Sequence, residues 1–423
     1  MNKIIQIFKI KDLRRKILMV AFLLAVFRLM AAIPIPGVEV DKLREFFASN
    51  QLFGFLNIFS GGALSNLSIM MLGVGPYITA TIILQLLMIV FPRLKEIYYE
   101  EGAAGRAKFN RLSRFLTVPL AILQAYGLLN LLVSQQAIGQ LTPTNLLMNV
   151  LVITTGSVLL MWLGELISEY KIGNGVSLII FAGIVSSLPA SLRSLIFGYN
   201  PAALPSYIIF AILAIAVIAG VTFVNEGERK IPVSYAKRVR GMKMYGGVAS
   251  YLPLKANQAG VIPIIFAISV LLFPQFIAQA VSVFSVDFSL KLNSLVTNFL
   301  NNAFIYSSIY FILVVVFTYF YTAITFNPQE IAKNLQQNGG FIPGLRPGQP
   351  TSEFIAKIVN RITLFGAVFL GLIAVLPNIT QLAMGVSAFT IGGTALLIVV
   401  AVALETMKQI DSQLVTREYE GIF

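Results

Sequence analysis

Residues 60–91 read SGGALSNLSIMMLGVGPYITATIILQLLMIVF, and this stretch constrains how the rest of the chain folds. A break at Gly73, Gly75 and Pro76 divides it, because glycine frees the backbone and proline favours the first turn of a new helix. The first piece, about Ala63 to Met71, is too short for a bilayer core, which needs about 20 apolar residues. Such a piece is stable at membrane depth only inside protein or beside water. The stretch therefore predicts a half-helix folded back against a spanning helix, which is typical of a pore, a carrier site or a plugged channel.

The composition indicates a polytopic membrane protein. Of the 423 residues, 57% are hydrophobic and 12% are charged, and the mean hydropathy is +0.82. The criterion of ~20 apolar residues predicts an all-α fold with about ten transmembrane helices. Cysteine and histidine are both absent. Their absence excludes disulfides, thiolate ligands, cysteine nucleophiles and the commonest general base.

The distribution of charge predicts the orientation of the chain. The net charge is +13, and most of the 31 lysines and arginines lie in segments that alternate to one side of the predicted membrane. By the positive-inside rule that side is cytoplasmic, both termini lie there, and the number of spans is even. Arg28 falls inside the first predicted span. It either lines a pathway or extends its side chain to the outer interface, and we favour the second interpretation.

Two long segments on the predicted cytoplasmic side, 225–257 and 326–358, are candidates for docking. In the first, apolar and polar residues alternate about Ile231 to Tyr235 before a basic tip, which predicts a β-hairpin. The second predicts a short helix from Asn327 and then a glycine- and proline-rich loop that exposes Arg346. Two basic elements on one face suit an acidic partner such as ribosomal RNA or an acidic protein surface, and purely structural loops are the alternative.

A short internal repeat relates the two halves of the chain. Residues 73–80, GVGPYITA, and 260–267, GVIPIIFA, share the pattern G-V-x-P-x-I-x-A, and a weaker echo links 176–180 to 394–398. The spans that follow run in opposite directions in the predicted topology, as in an inverted repeat. We therefore expect two pseudo-symmetric inverted halves, 1–195 and 196–423, each with five spans.

This pseudo-symmetry would bring branched aliphatic side chains together on the central axis. Six positions follow from the two echoes and the helical turn before them: Val74, Ile78, Val176, Ile180, Ile265 and Ile398. Such a ring selects ions poorly because it has no group to replace their hydration, but it can seal by dewetting and part around a bulky substrate. The alternative is that these residues are ordinary core or lipid-facing aliphatics.

Several motifs, in this order along the chain, resemble the SecY family. They are FRLMAAIPIPG at 27–37, LGVGPYITA at 72–80, GNGVSLIIFAG at 173–183, YAKR at 235–238, LPLKANQAGVIP at 252–263 and FIPGLRPG at 341–348. Members of this family are channel subunits of the bacterial Sec protein translocon, and the resemblance covers nearly the whole chain. It implies a channel that translocates unfolded polypeptides across the cytoplasmic (inner) membrane and releases transmembrane segments sideways into lipid.

The resemblance also implies roles for particular residues. The ring above would be the pore ring, with two valines where the family often has isoleucine. A plug at about 60–72 would comprise Ala63, Leu64, Ser65, Asn66, Leu67, Ser68, Ile69, Met70 and Met71. A lateral gate would lie between the spans from Gly75 and Phe115 and those from Ala259 and Ile305, with Thr79, Gln85 and Asn257 as polar gate residues.

Partners follow from the same resemblance. The ATPase SecA or the ribosome would dock on Lys237, Arg238, Arg240 and Arg346. SecE would clamp the two halves, SecG would associate at the periphery, and signal peptides and nascent chains would be the substrates.

Two other classes of function are alternatives. A secondary transporter for small solutes normally needs an intramembrane carboxylate or histidine, and an intramembrane protease needs a catalytic dyad at bilayer depth. Apart from Arg28, no charged residue lies near the centre of a predicted span. The chain also has no Walker A pattern, so we expect no nucleotide hydrolysis, no catalytic site, and neither metal nor cofactor.

Overall fold

The computed structural model is mostly helical. It describes residues 9–36, 60, 62–64, 66–99, 101–134, 138–197, 204–235, 238–240, 243–245, 250–281, 291–292, 294–296, 299, 302–384 and 392–420. The helices are α1 Lys11–Met30, α2 Gly75–Val90, α3 Pro92–Tyr99, α4 Gly102–Ser134, α5 Pro143–Glu169, α6 Gly175–Phe197, α7 Leu204–Glu226, α8 Ile262–Val281, α9 Ala303–Thr325, α10 Pro328–Gln337, α11 Gln349–Met384 and α12 Gly392–Glu420. The strands are β1 Glu228–Tyr235, β2 Arg238–Arg240, β3 Lys243–Tyr245, β4 Ser250–Lys255 and β5 Gly340–Phe341.

Five helical segments of the described chain are long and apolar enough to cross a membrane. They are Ala104–Val133, Pro143–Glu169, Tyr207–Glu226, Ala303–Gln337 and Gln349–Leu376. A further pair, Gly75–Met88 and Pro92–Tyr98, passes the same test together but is bent by 113°. The chain is therefore a polytopic membrane protein, and the count of ten spans stays a prediction.

Two of the helices begin after equivalent glycines. Gly73 has φ 58° and Gly260 has φ 63°, a left-handed conformation that glycine adopts without steric penalty. In both cases the helix begins two residues later, α2 at Gly75 and α8 at Ile262. The G-V-x-P pattern thus marks the same local structure twice.

The helices surround one large apolar core. α4 packs against α2, α5 and α8, while α1 packs against α5 and α6. α9 packs along α11 and against α8, and α12 contacts α6, α7 and α11. The main hydrophobic cluster draws buried side chains from α1, α2, α5 to α9, α11 and α12. A second cluster joins α4 and α5 to Ile35 and to residues of the 63–71 segment.

The predicted hairpin is present between α7 and α8. β1 pairs with β4 in antiparallel register from Glu228↔Lys255 to Val233↔Ser250, and β2 pairs with β3 beyond it. β5 joins the other side of β1, which gives the order β4-β1-β5. The short helix α10 is also confirmed, whereas the sequence predicted only a loop where β5 lies. β5 was missed because its partner, the end of β1, lies about a hundred residues earlier in the chain.

The predicted half-helix at 63–71 is wrong, because the described residues of this segment form turns. Leu67 N–H donates to Leu64 O at 3.0 Å, and Met71 N–H donates to Ser68 O at 2.9 Å. Leu67 has φ 42°, which a right-handed helix does not allow. Its carbonyl accepts a hydrogen bond from Ile35 N–H at 2.8 Å, as part of an isolated bridge between Pro34 and Ser68. The backbone therefore forms single turns and bonds to the residues that follow α1, instead of the repeated bonds of an α-helix.

Candidate functional site

The six predicted ring residues belong to the main hydrophobic cluster or pack against it. Five of them are between 0% and 6% exposed, and the sixth, Val176, is half-buried against the same cluster. Each lies in the first two turns of a helix or directly before one: Val74 and Ile78 at α2, Val176 and Ile180 in α6, Ile265 in α8, and Ile398 in α12. Four helix beginnings thus contribute branched aliphatic side chains to one core.

A cavity adjoins this group of residues. It has a volume of about 470 Å³, and its lining includes the ring residues Ile78, Val176 and Ile265. Polar and charged groups complete the wall, among them Gln85 of α2 and an ion pair in which Arg114 Nε of α4 lies 2.7 Å from Glu165 Oε1 of α5. The cavity therefore runs from an ionic wall to the aliphatic ring residues.

The plug segment, residues 63–71, is almost completely buried. Ala63, Leu64, Leu67, Ser68, Met70 and Met71 are each 0–1% exposed. Ala63 and Met70 belong to the same cluster as the ring residues, and Leu64, Leu67 and Met71 pack with α4 and α5 in the second cluster. Asn66 and Ile69 are half-buried, and Ser65 lies outside the described residues. The segment thus joins the two apolar clusters.

Two adjacent residues of α5, which were not among the predicted site residues, contact the plug segment and the glycine that follows it. Ser157 Oγ donates to Gly73 O at 3.1 Å. At Gly156, a Cβ atom would lie only 2.0 Å from Ile69 O. Neighbouring small residues inside an apolar span favour close packing, and this is the sequence signal that points to the pair.

The three predicted gate residues have different surroundings. Thr79 is buried, and its hydroxyl donates to Gly75 O within α2 at 3.0 Å. Gln85 lines the cavity beside the ring residues, and its buried Oε1 has no hydrogen-bond partner. Asn257 lines a different cavity of about 400 Å³, and its Nδ2 donates to Asn225 Oδ1 at 2.9 Å. Its Oδ1 is also buried without a partner.

The predicted docking residues are placed only in part. Arg346 is exposed on the loop between β5 and α11. Arg238 and Arg240 belong to β2, and Lys237 lies outside the described residues. Among the residues that the structure describes, no three acidic side chains come together as a metal site would require.

The chain resembles proteins of known name over its whole length. Residues 68–407 match the family model described as SecY. A relative named "Protein translocase subunit SecY" from Mycobacterium bovis is 44% identical over an alignment of 430 positions, which covers 97% of each chain. A relative of the same name from Corynebacterium glutamicum is 43% identical over an alignment of 446 positions, which covers 100% of each chain.

Solved structures share the fold. One is described as "The structure of a protein conducting channel", with a TM-score of 0.66 and 22% identity over 92% of this chain and 90% of that chain. Another is "Sec61 in the Canine ribosome-channel complex from the endoplasmic reticulum", with a TM-score of 0.61 and 19% identity over 92% and 90%.

Fold and site together define a helical membrane channel, with interrupted spans around an apolar core and a polar cavity beside it. The chain belongs to the SecY family. Its function is therefore protein translocation, as part of a protein-conducting channel.

Proposed function

We propose that this chain conducts unfolded polypeptides passively across the cytoplasmic membrane and releases transmembrane segments sideways into lipid. The proposal is carried by the position of the six ring residues in or against one hydrophobic cluster, where three of them line the same cavity. Their side chains offer no oxygen to replace the hydration shell of an ion, so a pore that they line stays closed to ions by dewetting. The same side chains can move apart around a polypeptide, because no bond holds them together.

The plug segment would close the resting channel. Its nearly complete burial and its contacts with the ring cluster support this role. Displacement of the segment would expose apolar side chains to water, so the closed state is favoured until a substrate replaces those contacts.

The pore would lie between two inverted halves, 1–195 and 196–423, with five spans each and both termini in the cytoplasm. The shared geometry at Gly73 and Gly260 supports this arrangement, because the two helices that follow these glycines run in opposite directions in the predicted topology. The excess of basic residues on one side of the predicted topology supports the orientation.

A lateral gate would lie where α2 and α4 meet α8 and α9. The packing of both α2 and α4 against α8 supports this position. Thr79, Gln85 and Asn257 would be its polar residues, and two of them carry a buried oxygen without a partner. A hydrophobic signal helix would bias the gate open because it binds the open state better.

A partner would supply the energy. The hairpin and the loop before α11 would dock SecA or the ribosome through Lys237, Arg238, Arg240 and Arg346. Related channels have been solved in ribosome complexes, including the canine Sec61 structure and a yeast Ssh1 complex. SecE and SecG would complete the membrane complex.

Replacement of Ile78, Ile180, Ile265 and Ile398 by glycine tests the ring. We expect the ion conductance of bilayers that contain the purified variant to rise by roughly an order of magnitude or more, because water enters a pore whose aliphatic lining is removed. Planar-bilayer current or ion flux from vesicles measures this conductance.

A matched variant controls for the general cost of glycine in helices, about 1 kcal/mol per site. It replaces four exposed isoleucines, each on a different helix: Ile122, Ile215, Ile312 and Ile379, which are 42–67% exposed. Conductance of the ring variant no higher than that of this control would refute the ring assignment.

A further inference from the structure

The backbone of the plug segment approaches α5 so closely at Gly156 that no side chain fits between them. A Cβ atom on Gly156 would lie 2.0 Å from Ile69 O, 2.9 Å from Ile69 C and 3.5 Å from Met70 N. All three atoms belong to the backbone, so rotation of a side chain cannot relieve the overlap. Even alanine at this position therefore requires the plug segment or the helix to move.

The next residue of α5 holds the other end of the same stretch. Ser157 is 1% exposed, and its hydroxyl donates to Gly73 O at 3.1 Å. Two consecutive residues of α5 thus contact the backbone at Ile69 and at Gly73. The stretch between these contacts includes Met70 and Met71, which are each 1% exposed.

The same kind of contact occurs before α8. A Cβ atom on Gly366 of α11 would lie 2.6 Å from Ala256 O. Ile69 is four residues before Gly73, and Ala256 is four residues before Gly260; both of these glycines have a positive φ. The close contact thus occurs at the same sequence separation, four residues before the glycine, in both halves. This indicates that a glycine of a neighbouring helix positions each of these segments.

We propose that Gly156 is the positioning residue of the plug segment: its missing side chain lets the Ile69–Met70 backbone pack directly on α5 and so keeps the segment buried. This inference rests on the proposed role of residues 63–71 as the plug. Ser157 supports the same position through its hydrogen bond. An added methyl group at Gly156 displaces the segment and opens the channel in the absence of substrate.

Cysteine labelling tests the position of the segment without reference to transport. The chain has no cysteine, so a single Leu64→Cys replacement in the plug segment gives one thiol at a site that is 0% exposed. In this background we expect Gly156→Ala to raise the rate of reaction with a water-soluble maleimide by roughly tenfold, because overpacking against backbone shifts the population toward the displaced state. Thr155→Ala is the control, since Thr155 is the exposed neighbour of Gly156 on the same helix.

Ion flux from vesicles gives the second measurement. Gly156→Ala should raise the flux toward that of a chain that lacks the plug segment, residues 63–71, and in that deleted chain it should have no further effect. Ser157→Ala adds no volume and should increase labelling by a smaller factor. It keeps the test valid should Gly156→Ala fail to fold.

The two measurements separate the inference from the proposed function. Unchanged labelling in both Gly156→Ala and Ser157→Ala overturns the inference. The flux through the deleted chain then tests the plug role independently. Increased labelling without increased flux keeps Gly156 as the positioning residue but removes the plug role. A further rise in flux when Gly156→Ala is added to the deleted chain also overturns the inference, because the effect would then arise elsewhere in α5.

Discussion

At the residue scale, the serines around the plug segment bond to the backbone. Ser60 Oγ accepts a hydrogen bond from Leu64 N–H at 3.0 Å, and Ser68 Oγ accepts one from Met70 N–H at 3.2 Å. These bonds satisfy backbone groups that a turn leaves unpaired in an apolar surrounding. Ser60 and Ser68, which are 1% and 0% exposed, therefore belong to a buried set of turns.

Asn149 of α5 is the opposite case. It is 1% exposed, and both its Nδ2 and its Oδ1 are buried without a hydrogen-bond partner. It lies two helical turns before Gly156 and therefore on the same face of the helix. Burial of this amide without a hydrogen-bond partner costs free energy, and this cost opposes the close packing of α5.

We expect Asn149→Leu to raise the free energy of unfolding by about 1–3 kcal/mol, because leucine has a similar size and no polar atom to leave unpaired. The midpoint of thermal unfolding in detergent measures the change. Asn145→Leu, at an exposed position of the same helix, should bring no comparable gain. A lower midpoint for Asn149→Leu would contradict this account of the amide.

At the element scale, the hairpin between α7 and α8 has its own small core. Ile231 and Val233 of β1 and Leu254 of β4 pack with Ile342, Ile355 and Val359. Since the last two belong to α11, this core attaches the hairpin to a long helix of the membrane body. The position of the hairpin thus depends on apolar packing as well as on strand pairing.

Ile355→Ala should loosen this attachment. Ile355 is 0% exposed, and truncation of a buried isoleucine typically costs about 2–5 kcal/mol. We expect faster tryptic cleavage within the basic hairpin, while the membrane helices stay protected. Phe354→Ala, at the neighbouring position that is 37% exposed, serves as the control. Equal cleavage rates in the two variants would show that the cluster does not hold the hairpin.

At the scale of the whole molecule, the charge of +13 is unevenly distributed. The segment with the hairpin, which includes Arg238 and Arg240, and the loop with Arg346 both carry basic residues. Pairing of β1 with β5 brings the hairpin beside the start of this loop. The fold thus brings together two basic segments that are about a hundred residues apart in the chain.

Charge reversal at Arg240 and Arg346 should weaken binding of the ribosome or of SecA by roughly tenfold at low salt, with a smaller difference at high salt because ions screen exposed charges. Co-sedimentation or fluorescence titration at two salt concentrations measures this effect. Lys291→Glu makes the same kind of change at an exposed position on the opposite predicted side. An equal loss of affinity in this control would assign the effect to net charge alone.

The sequence alone determined those features that depend on composition and on neighbouring residues. Composition established a membrane protein, and alternation with a basic tip predicted the hairpin. The G-V-x-P repeat located the beginnings of α2 and α8, because glycine and proline act on the backbone where they stand. That repeat and the weaker echo of 176–180 in 394–398, with the helical turn before them, selected six aliphatic residues that lie in one hydrophobic cluster or against it.

Tertiary structure alone decided the features in which distant segments share backbone contacts. The turns of the plug segment form beside the residues after α1, where Leu67 O accepts a hydrogen bond from Ile35 N–H and Ile69 N–H donates to Ile33 O. β5 forms because the end of β1 lies beside it. Gly156 acquires its importance only from Ile69, which approaches it from another part of the chain. In an apolar interior, every buried backbone group needs a hydrogen-bond partner, and that partner determines the local conformation. The conformational preferences of neighbouring residues do not reveal which distant segment supplies the partner.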